Sequence, residues 1–116
     1  MQRYRYDCEP GCPVVSTLQI IAGKWKAVLI YHLMHHTVLR FHDFHRLLPA
    51  LQPRMLARQL HELEADGIIQ KTIYPVMPPK TEYRLTDLGR SLEPIISEMA
   101  KWGQRYNEIN PDLATN

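Results

Sequence analysis

Two arginines at helical spacing are the residues whose chemistry is easiest to assign. Arg54 and Arg58 stand four positions apart, which in a helix places both guanidinium groups on one side near its start. Guanidinium groups bind phosphates and guanine edges, and the amide of Gln59 suits an adenine edge. We therefore expect this face to contact duplex nucleic acid. The alternative is a solvated helix face on which Arg58 merely pairs with Glu62, four positions on.

Other polar residues extend this predicted contact surface. Gln52 stands just before the arginine-bearing helix, and Lys71 and Lys80 lie in the segment that follows it, where ammonium groups could reach phosphates. The net charge is only +2, which is too small to indicate a nucleic-acid partner by itself. Its distribution says more, because residues 1–80 hold ten Lys and Arg against six Asp and Glu, whereas residues 81–116 hold four against six.

The two cysteines are the candidate sensor. Cys8 and Cys12 both precede the predicted core, and Cys12 stands at the N-cap of a helix that begins with Pro13. The positive end of a helix dipole favours a reactive thiol at that position. The alternative is an inert thiol packed under an N-terminal arm. Because the chain has no third cysteine, oxidation could join only Cys8 to Cys12 or one subunit to another.

Closely spaced histidines suggest a metal site, which the rest of the sequence does not favour. His32 could share a helix face with His35 or His36, and His42 stands three positions from His45. No cysteine or carboxylate set with a zinc-binding spacing accompanies them, so we expect no metal ion and no other cofactor. The chain also lacks a glycine-rich phosphate loop, a nucleophile elbow and a recognisable serine triad, so we expect no enzymatic activity.

Helical and strand periodicities follow one another in a simple order. The arginine-bearing helix has a buried stripe at Leu56, Leu60 and Leu63, and Gly67 with Ile68 suits a Schellman cap at its end. A helix pair followed by a hairpin is the outline of a winged helix, which holds duplex DNA with one helix in the major groove and the hairpin beside it. The predicted elements are helices at about residues 14–21, 24–34, 41–48 and from Pro53, a hairpin at 69–85 with a proline-stiffened tip, and a long last helix capped by Thr86.

The last helix carries more apolar side chains than so small a core can readily cover. Pro94 interrupts it and either kinks it or marks its true beginning. Its apolar stripe could lie entirely against its own domain, but we expect a dimer seam to which the first helix also contributes. The predicted seam residues are Leu18, Ile21, Ile95, Ile96, Met99, Trp102 and Tyr106.

Size and composition are those of one small globular domain. With 116 residues, 45% hydrophobic and 22% charged, the chain has room for a single modest core. We divide it into an N-terminal arm at residues 1–11, a domain at 12–110 and a C-terminal tail at 111–116. No apolar run is long enough to cross a membrane and no signal-peptide core is present, so we expect a cytoplasmic protein.

Short segments along the chain form an ordered set of matches to one known family, and such a set is more specific than any single motif. The matching segments are CPV at 12–14, IAGKWK at 21–26, RFHDF at 40–44, ML at 55–56 through Leu60, ELEADG at 62–67, YP at 74–75 with PP at 78–79, EY at 82–83, LT at 85–86 and LG at 88–89. In these segments the sequence resembles the HxlR family of bacterial winged helix-turn-helix transcription regulators, relatives of the MarR group. One departure is Gln52-Pro53, where relatives often carry a small hydroxyl residue just before the recognition helix.

This resemblance implies a homodimer, joined through its N- and C-terminal helices, that binds a pseudo-palindromic operator in double-stranded DNA. It assigns the recognition helix to residues 53–65 and the wing to residues 74–80. It also implies sensing of oxidants or electrophiles, because family members use a cysteine at the position of Cys12. The predicted fold class is therefore α+β, mainly α: a winged helix-turn-helix with N- and C-terminal dimerisation helices. The alternatives are a winged-helix protein-interaction module and a regulator that answers a small-molecule effector without thiol sensing.

Overall fold

Helices alternate with three short strands along residues 11–113, the part of the chain that the computed structural model describes. Cys8 and most of the predicted N-terminal arm lie outside the described residues. A short 3-10 turn, Pro111–Leu113, follows the last helix. The other elements are α1 (Pro13–Ile21), α2 (Lys26–Met34), β1 (Leu39–Arg40), α3 (Phe41–Leu47), α4 (Pro53–Ala65), β2 (Ile69–Tyr74), β3 (Lys80–Leu85), α5 (Asp87–Arg90) and α6 (Glu93–Ile109).

The first two helices are separated by a break at a glycine. Pro13 opens α1, where the N–H that proline lacks would have been unpaired in any case. Ala22 is extended and Gly23 has φ of 98°, in the left-handed region, so α2 begins only at Lys26. That start lies two residues later than predicted. The two helices meet at an angle of 81°.

The end of α4 is fixed by the Schellman cap that the sequence predicted. Gly67 has φ of 76°, the Ile68 N–H donates to the Leu63 carbonyl at 2.9 Å, and the Gly67 N–H donates to the Glu64 carbonyl at 3.0 Å. Leu63 and Ile68 are both buried, which supplies the apolar contact of the motif. The cap turns the chain directly from α4 into β2, so the helix and the hairpin hold a fixed relation.

The three strands form an antiparallel sheet in the order β1-β3-β2. Ile69 pairs with Leu85, Lys71 with Tyr83, and Ile73 with Thr81, so the predicted strand faces are confirmed. Only the base of this face is buried, since Ile73 is exposed. The outer half of the β2–β3 hairpin therefore projects beyond the core. The two-residue strand β1, which the sequence did not predict, pairs with β3 on its other edge.

The segment predicted as one long last helix forms two helices, so of the two predicted roles for Pro94 the structure has the second, a new helix beginning there. Thr86 accepts a hydrogen bond from the Gly89 N–H at 3.0 Å and donates to the Gly67 carbonyl at 2.5 Å, so it caps only the short α5. A β-carbon on Gly89 would lie 2.1 Å from the Ile68 carbonyl oxygen, which shows how closely α5 sits on the chain entering β2. Pro94 stands in the first turn of α6 and marks its true beginning.

The core lies between α2, α4 and the sheet, with α6 packed on α2. No single helix among the described residues is long and apolar enough to cross a membrane, although α1 and α2 would pass that test as a bent pair. The apolar face of α2 is buried within the domain. The buried apolar residues are Ile21, Leu29, Ile30, Leu33, Leu39, Phe44, Leu51, Leu56, Leu60, Leu63, Ile68, Ile69, Tyr83, Leu85 and Ile96.

Candidate nucleic-acid interface

The helix α3 precedes α4 and is held by a capping carboxylate. The Arg40 N–H donates to Asp43 Oδ2 at 2.9 Å, and Arg46 contacts Asp43 Oδ1 at 2.5 Å. The backbone hydrogen bond from Arg40, with a smaller contribution from Arg46, holds the pKa of the Asp43 carboxyl below its usual value. Phe44 is fully buried and meets the Tyr83 ring edge-on, with 6.0 Å between ring centroids. These contacts cap α3 and fix it against the sheet.

The outer face of α4 carries the polar residues that the sequence selected. Because Leu56, Leu60 and Leu63 are buried, Arg54, Arg58 and His61 are exposed on the other side of the helix. Among the described residues Arg54 forms no ion pair, so its guanidinium group presents its donors to solvent. The start of this helix is therefore a cationic surface.

The start of α4 lacks a side-chain cap. Gln52 occupies the N-cap position in an extended conformation and makes no capping hydrogen bond, and Pro53 fills the first helical position. The Gln52 side chain is exposed. The first-turn N–H groups of α4 therefore donate no hydrogen bond to the N-cap side chain. The exposed Gln52 and Arg54 both lie at this end of the helix.

Arg58 lies in an ion-pair chain that reaches into the core. Its Nε is 3.5 Å from Glu62 Oε2, which is the pair foreseen as the alternative role for Arg58. Glu62 Oε1 is 2.6 Å from the Nζ of Lys26, whose side chain is only 6% exposed. The Arg58 side chain is 71% exposed. The Arg58 guanidinium group is therefore accessible to solvent although its Nε is paired with Glu62.

The Lys26 contact is the feature of this surface that sequence reasoning missed. Lys26 precedes Leu29, Ile30 and Leu33 by three, four and seven positions, so helical spacing places it on the buried face of α2. A lysine on such a face needs an anionic partner, and Glu62 supplies one from α4. That spacing was the signal that could have predicted a tie between α2 and α4.

Gln59 is less free than the sequence suggested. Its Nε2 lies 3.4 Å from the Sδ of Met55, one turn earlier on α4, and the residue is half-buried. This contact to sulfur is weak, and a base edge is a better partner for the amide. Gln59 stays a predicted base contact, but it would have to leave Met55 to make one.

The two predicted phosphate contacts lie on opposite faces of the hairpin. Lys71 is exposed and pairs across the strands with Tyr83, so these two residues share one face of the hairpin. Lys80 pairs with Tyr74, and these two share the opposite face. Lys80 is also engaged within the hairpin: its Nζ is 3.3 Å from Glu82 Oε2 and 5.1 Å from the centroid of the Tyr74 ring. Lys71 is therefore the freer cation of the two.

Cys12 has the position that the sequence predicted. It is a free, half-buried thiol at the N-cap of α1, and its side chain makes no capping hydrogen bond. The Ser16 N–H donates to its backbone carbonyl at 3.0 Å, which begins the helix. The residue is thus only partly buried, at the start of a helix. Cys8, its predicted partner, lies outside the described residues.

Five of the seven predicted seam residues are exposed, and two are not. Ile21 and Ile96 pack in the domain's own core and leave little surface for a partner, since α1 and α6 both lie against α2. Trp102 is 67% exposed, and its ring stacks on Tyr106 with 5.4 Å between centroids. An apolar cleft of about 260 Å³, lined partly by Tyr31 of α2 and Met99 of α6, opens beside them. The exposed seam residues are Leu18, Ile95, Met99, Trp102 and Tyr106.

The histidines do not gather into a ligand set in the part of the chain that the structure describes. No group of three His, Cys, Asp or Glu side chains there is placed to hold a metal ion. Partial burial lowers the pKa of His32, and the nearby charges of His36 and His35 lower it further. Both effects disfavour the protonated form of His32.

Comparison with known proteins places this chain among helix-turn-helix regulators. The HxlR-like helix-turn-helix family model matches residues 20–111. YdeP of Bacillus subtilis strain 168, an uncharacterized HTH-type transcriptional regulator, is 50% identical over 105 residues, which cover 90% of this chain and 81% of YdeP.

Solved structures agree with the same assignment. The redox regulator HypR in its oxidized form is 50% identical, with a TM-score of 0.77 over 81% of this chain and 96% of that one. The reduced form of YodB from B. subtilis, a transcriptional regulator, is 30% identical, with a TM-score of 0.70 over 82% of this chain and 93% of that one. The predicted winged helix-turn-helix fold is thereby confirmed, and this chain belongs to the HxlR-like helix-turn-helix family of transcription regulators.

Proposed function

We propose that this regulator binds a specific DNA duplex as a homodimer and responds to oxidants through Cys12. The observation that carries DNA binding is the sidedness of α4, which buries its three leucines completely and exposes Arg54, Arg58 and His61. A helix of this kind fits the major groove, where arginine can donate two hydrogen bonds to one guanine. We propose no catalytic activity.

The ion-pair chain on α4 is compatible with a groove contact. Glu62 occupies the inner side of Arg58, so the outer donors of the guanidinium group stay available. A carboxylate facing the groove would repel phosphate, but Lys26 lies 2.6 Å from Glu62 and offsets its charge from within the core. The α4 surface thus presents cations outward.

The dimer is supported by apolar surface that the single chain leaves exposed. Ile95, Met99, Trp102 and Tyr106 recur along α6 with helical spacing, and Leu18 of α1 is also exposed. A stripe of this extent on a small domain indicates an interface. Two-fold pairing through α6 would present two copies of α4 to the duplex, so the proposed operator is pseudo-palindromic, with half-sites about one helical turn apart.

Redox sensing is supported by the position and accessibility of Cys12 and by similarity to proteins named as redox regulators. In the proposed reaction two thiols are oxidised to one disulfide. Peroxide accepts the two electrons and two protons and leaves as two water molecules. The second thiol is Cys8 of the same chain or a cysteine of the other subunit. A bond at this site would alter α1, which lies beside the proposed seam.

A response to a small molecule is the second candidate function. The apolar cleft between α2 and α6, about 260 Å³ in volume, borders the proposed seam and could admit an apolar compound. A compound bound there would act on the pairing of subunits instead of on the thiol. A protein-interaction module without DNA binding is the remaining alternative.

Selection from a random duplex library, followed by gel shifts at two salt concentrations, tests DNA binding. We expect a defined enriched motif with two-fold symmetry and a steep loss of affinity as salt rises, because bound phosphates release counterions. Lys101→Ala, which changes an exposed cation on α6, serves as a control that should bind normally. No enrichment, or binding that does not change with salt, would favour the protein-interaction alternative.

Non-reducing electrophoresis after mild peroxide tests the sensor. The wild-type protein should give a disulfide-linked species or a compact monomer, and Cys12→Ser should give neither. In Cys8→Ser a bond between the Cys12 residues of two subunits survives, whereas every bond from Cys12 to Cys8 is lost. The wild-type gel then tells a Cys12–Cys8 bond between subunits, which gives a linked dimer, from an internal one, which gives a compact monomer. Wild-type protein that gives neither species after peroxide would show that Cys12 is an inert thiol. Full DNA binding by a disulfide-bonded protein would show that oxidation of Cys12 does not regulate binding.

A further inference from the structure

The Glu62 carboxylate contacts a different cation with each of its two oxygens. Its Oε1 lies 2.6 Å from the Nζ of Lys26 in α2, and its Oε2 lies 3.5 Å from the Nε of Arg58, one turn earlier on α4. The Lys26 side chain is buried, that of Glu62 is half-buried, and that of Arg58 is exposed. The three side chains therefore form an ion-pair chain that leads from the core to the outer face of α4.

The inner end of this ion-pair chain is fixed by the packing of α2. Lys26 is the first residue of α2, and Leu29, Ile30 and Leu33 of the same helix are buried in the core. The distance of 2.6 Å indicates a charge-assisted hydrogen bond, and a buried ammonium group is strongly destabilising without its anion. The Glu62 carboxylate therefore has a defined position, whereas a free glutamate on a helix surface samples several rotamers.

The position of Glu62 decides which edge of the Arg58 guanidinium group stays available. The group is planar, and its donors lie along one edge with Nε and one Nη and along another with both Nη atoms. Glu62 faces the Nε edge and leaves the edge with both Nη atoms for another acceptor. That edge has the two donors that pair with O6 and N7 of one guanine. An arginine held in this way also loses less rotamer freedom on binding a base than a free one does.

We infer that Lys26 and Glu62 are positioning residues for the reading of DNA: Lys26 holds Glu62, and Glu62 presents the two Nη atoms of Arg58 to a guanine. The inference rests on the proposed binding of α4 in the major groove, but it requires no contact between Lys26 and the duplex. It makes the preference at one base pair of each half-site depend on a lysine in the core. A purely structural role for Lys26 would change stability and weaken binding to all duplexes alike.

Competition between two labelled duplexes for one protein sample tests the inference. The ratio of the two affinities does not depend on the fraction of the protein that is folded, so a loss of stability does not affect it. One duplex has the sequence selected by the wild-type protein, and the other is changed at a single base pair. The base pair that Arg58 reads is the one at which Arg58→Ala loses its preference, and wild-type protein should prefer the selected base there by at least about fivefold.

The variants separate positioning from stability. Lys26→Met should lose most of the preference at that base pair and keep the preferences elsewhere in the site. The double variant Lys26→Met with Glu62→Leu should lose the same preference, although it leaves no isolated buried charge and should be the more stable of the two. In an Arg58→Ala background, Lys26→Met should change the preference no further. Lys24→Met is the matched control, since it removes an exposed lysine two residues earlier and should keep every preference.

The inference is overturned if Lys26→Met and the double variant keep the wild-type ratio at that base pair, even where they bind every duplex more weakly. If Lys26→Met yields no folded protein, the double variant alone decides. If the wild-type protein selects a motif but Arg58→Ala loses no preference within it, the inference fails and the proposed DNA binding stands. A wild-type protein that selects no motif would overturn both.

Discussion

Replacing Lys26 with methionine should cost the domain about 2 to 3 kcal/mol of stability, because it leaves Glu62 without its cation from the core. Lys26 Nζ lies 2.6 Å from Glu62 Oε1, and their side chains are 6% and 19% exposed. Removing one member of a fully buried pair costs about 3 to 5 kcal/mol. The smaller figure applies because Glu62 is partly hydrated and also meets Arg58 at 3.5 Å.

A second substitution separates the loss of a favourable ion pair from the cost of leaving Glu62 charged without Lys26. In the double variant Lys26→Met with Glu62→Leu neither charge remains, so its stability should return to within about 1 kcal/mol of wild type. Lys101→Met is the matched control, since Lys101 pairs with Glu98 at 3.0 Å but both side chains are more than 70% exposed. It should change stability by less than about 0.5 kcal/mol.

Urea unfolding followed by circular dichroism measures these differences, at one fixed protomer concentration because any dimer couples stability to concentration. We expect the order wild type, Lys101→Met, double variant and then Lys26→Met, with the last clearly separate. A Lys26→Met protein as stable as the Lys101→Met control would refute the role given to Lys26 in joining α2 to α4.

Three further changes test the packing of Gly89 on the Ile68 backbone, the capping carboxylate of α3 and the proposed dimer seam. Gly89→Ala should lower stability by at least about 2 kcal/mol in thermal melts, because its β-carbon would lie 2.1 Å from the Ile68 carbonyl oxygen, whereas Gly103→Ala meets no atom within 4 Å and should be tolerated. The pKa of Asp43 is lowered in the folded protein, so its carboxylate stabilises the fold at pH values above its ordinary pKa of about 4. This stabilisation is lost as the pH falls through the folded-state pKa, so Asp43→Asn should make stability less dependent on pH in acid. Met99→Glu should sediment as a monomer at micromolar concentration, and a dimer there would exclude the proposed seam.

The sequence predicted the elements whose signals are local. Gly67 with Ile68 indicated the cap of α4, the leucine spacing indicated its buried face, and the change of period indicated the hairpin, all of which the structure confirms. The sequence left open whether Pro94 kinks one helix or begins another, because the split between α5 and α6 depends on Gly89, whose closeness to the Ile68 backbone is a contact between segments distant in sequence. Thr86 carried a capping signal but no information on helix length.

In the candidate site, too, the features that depend on one helix were predicted and those that depend on packing between helices were not. Exposure of Arg54 and Arg58 follows from the periodicity of one helix, so sequence sufficed. The Lys26–Glu62 pair and the core positions of Ile21 and Ile96 depend on how α2 packs against α4 and α6. An apolar stripe by itself does not say which of its members the domain covers.

The most direct test of the account is the effect of Arg54→Ala on binding to the selected duplex and to a scrambled duplex of equal length. Arg54 is exposed on α4, so the substitution should not disturb the core. If Arg54 reads a guanine, the variant should lose about 1 to 3 kcal/mol on the selected duplex and much less on the scrambled one. Equal affinity of variant and wild-type protein for the selected duplex, with the preference over the scrambled duplex intact, would contradict the assignment of α4 as the helix that reads DNA.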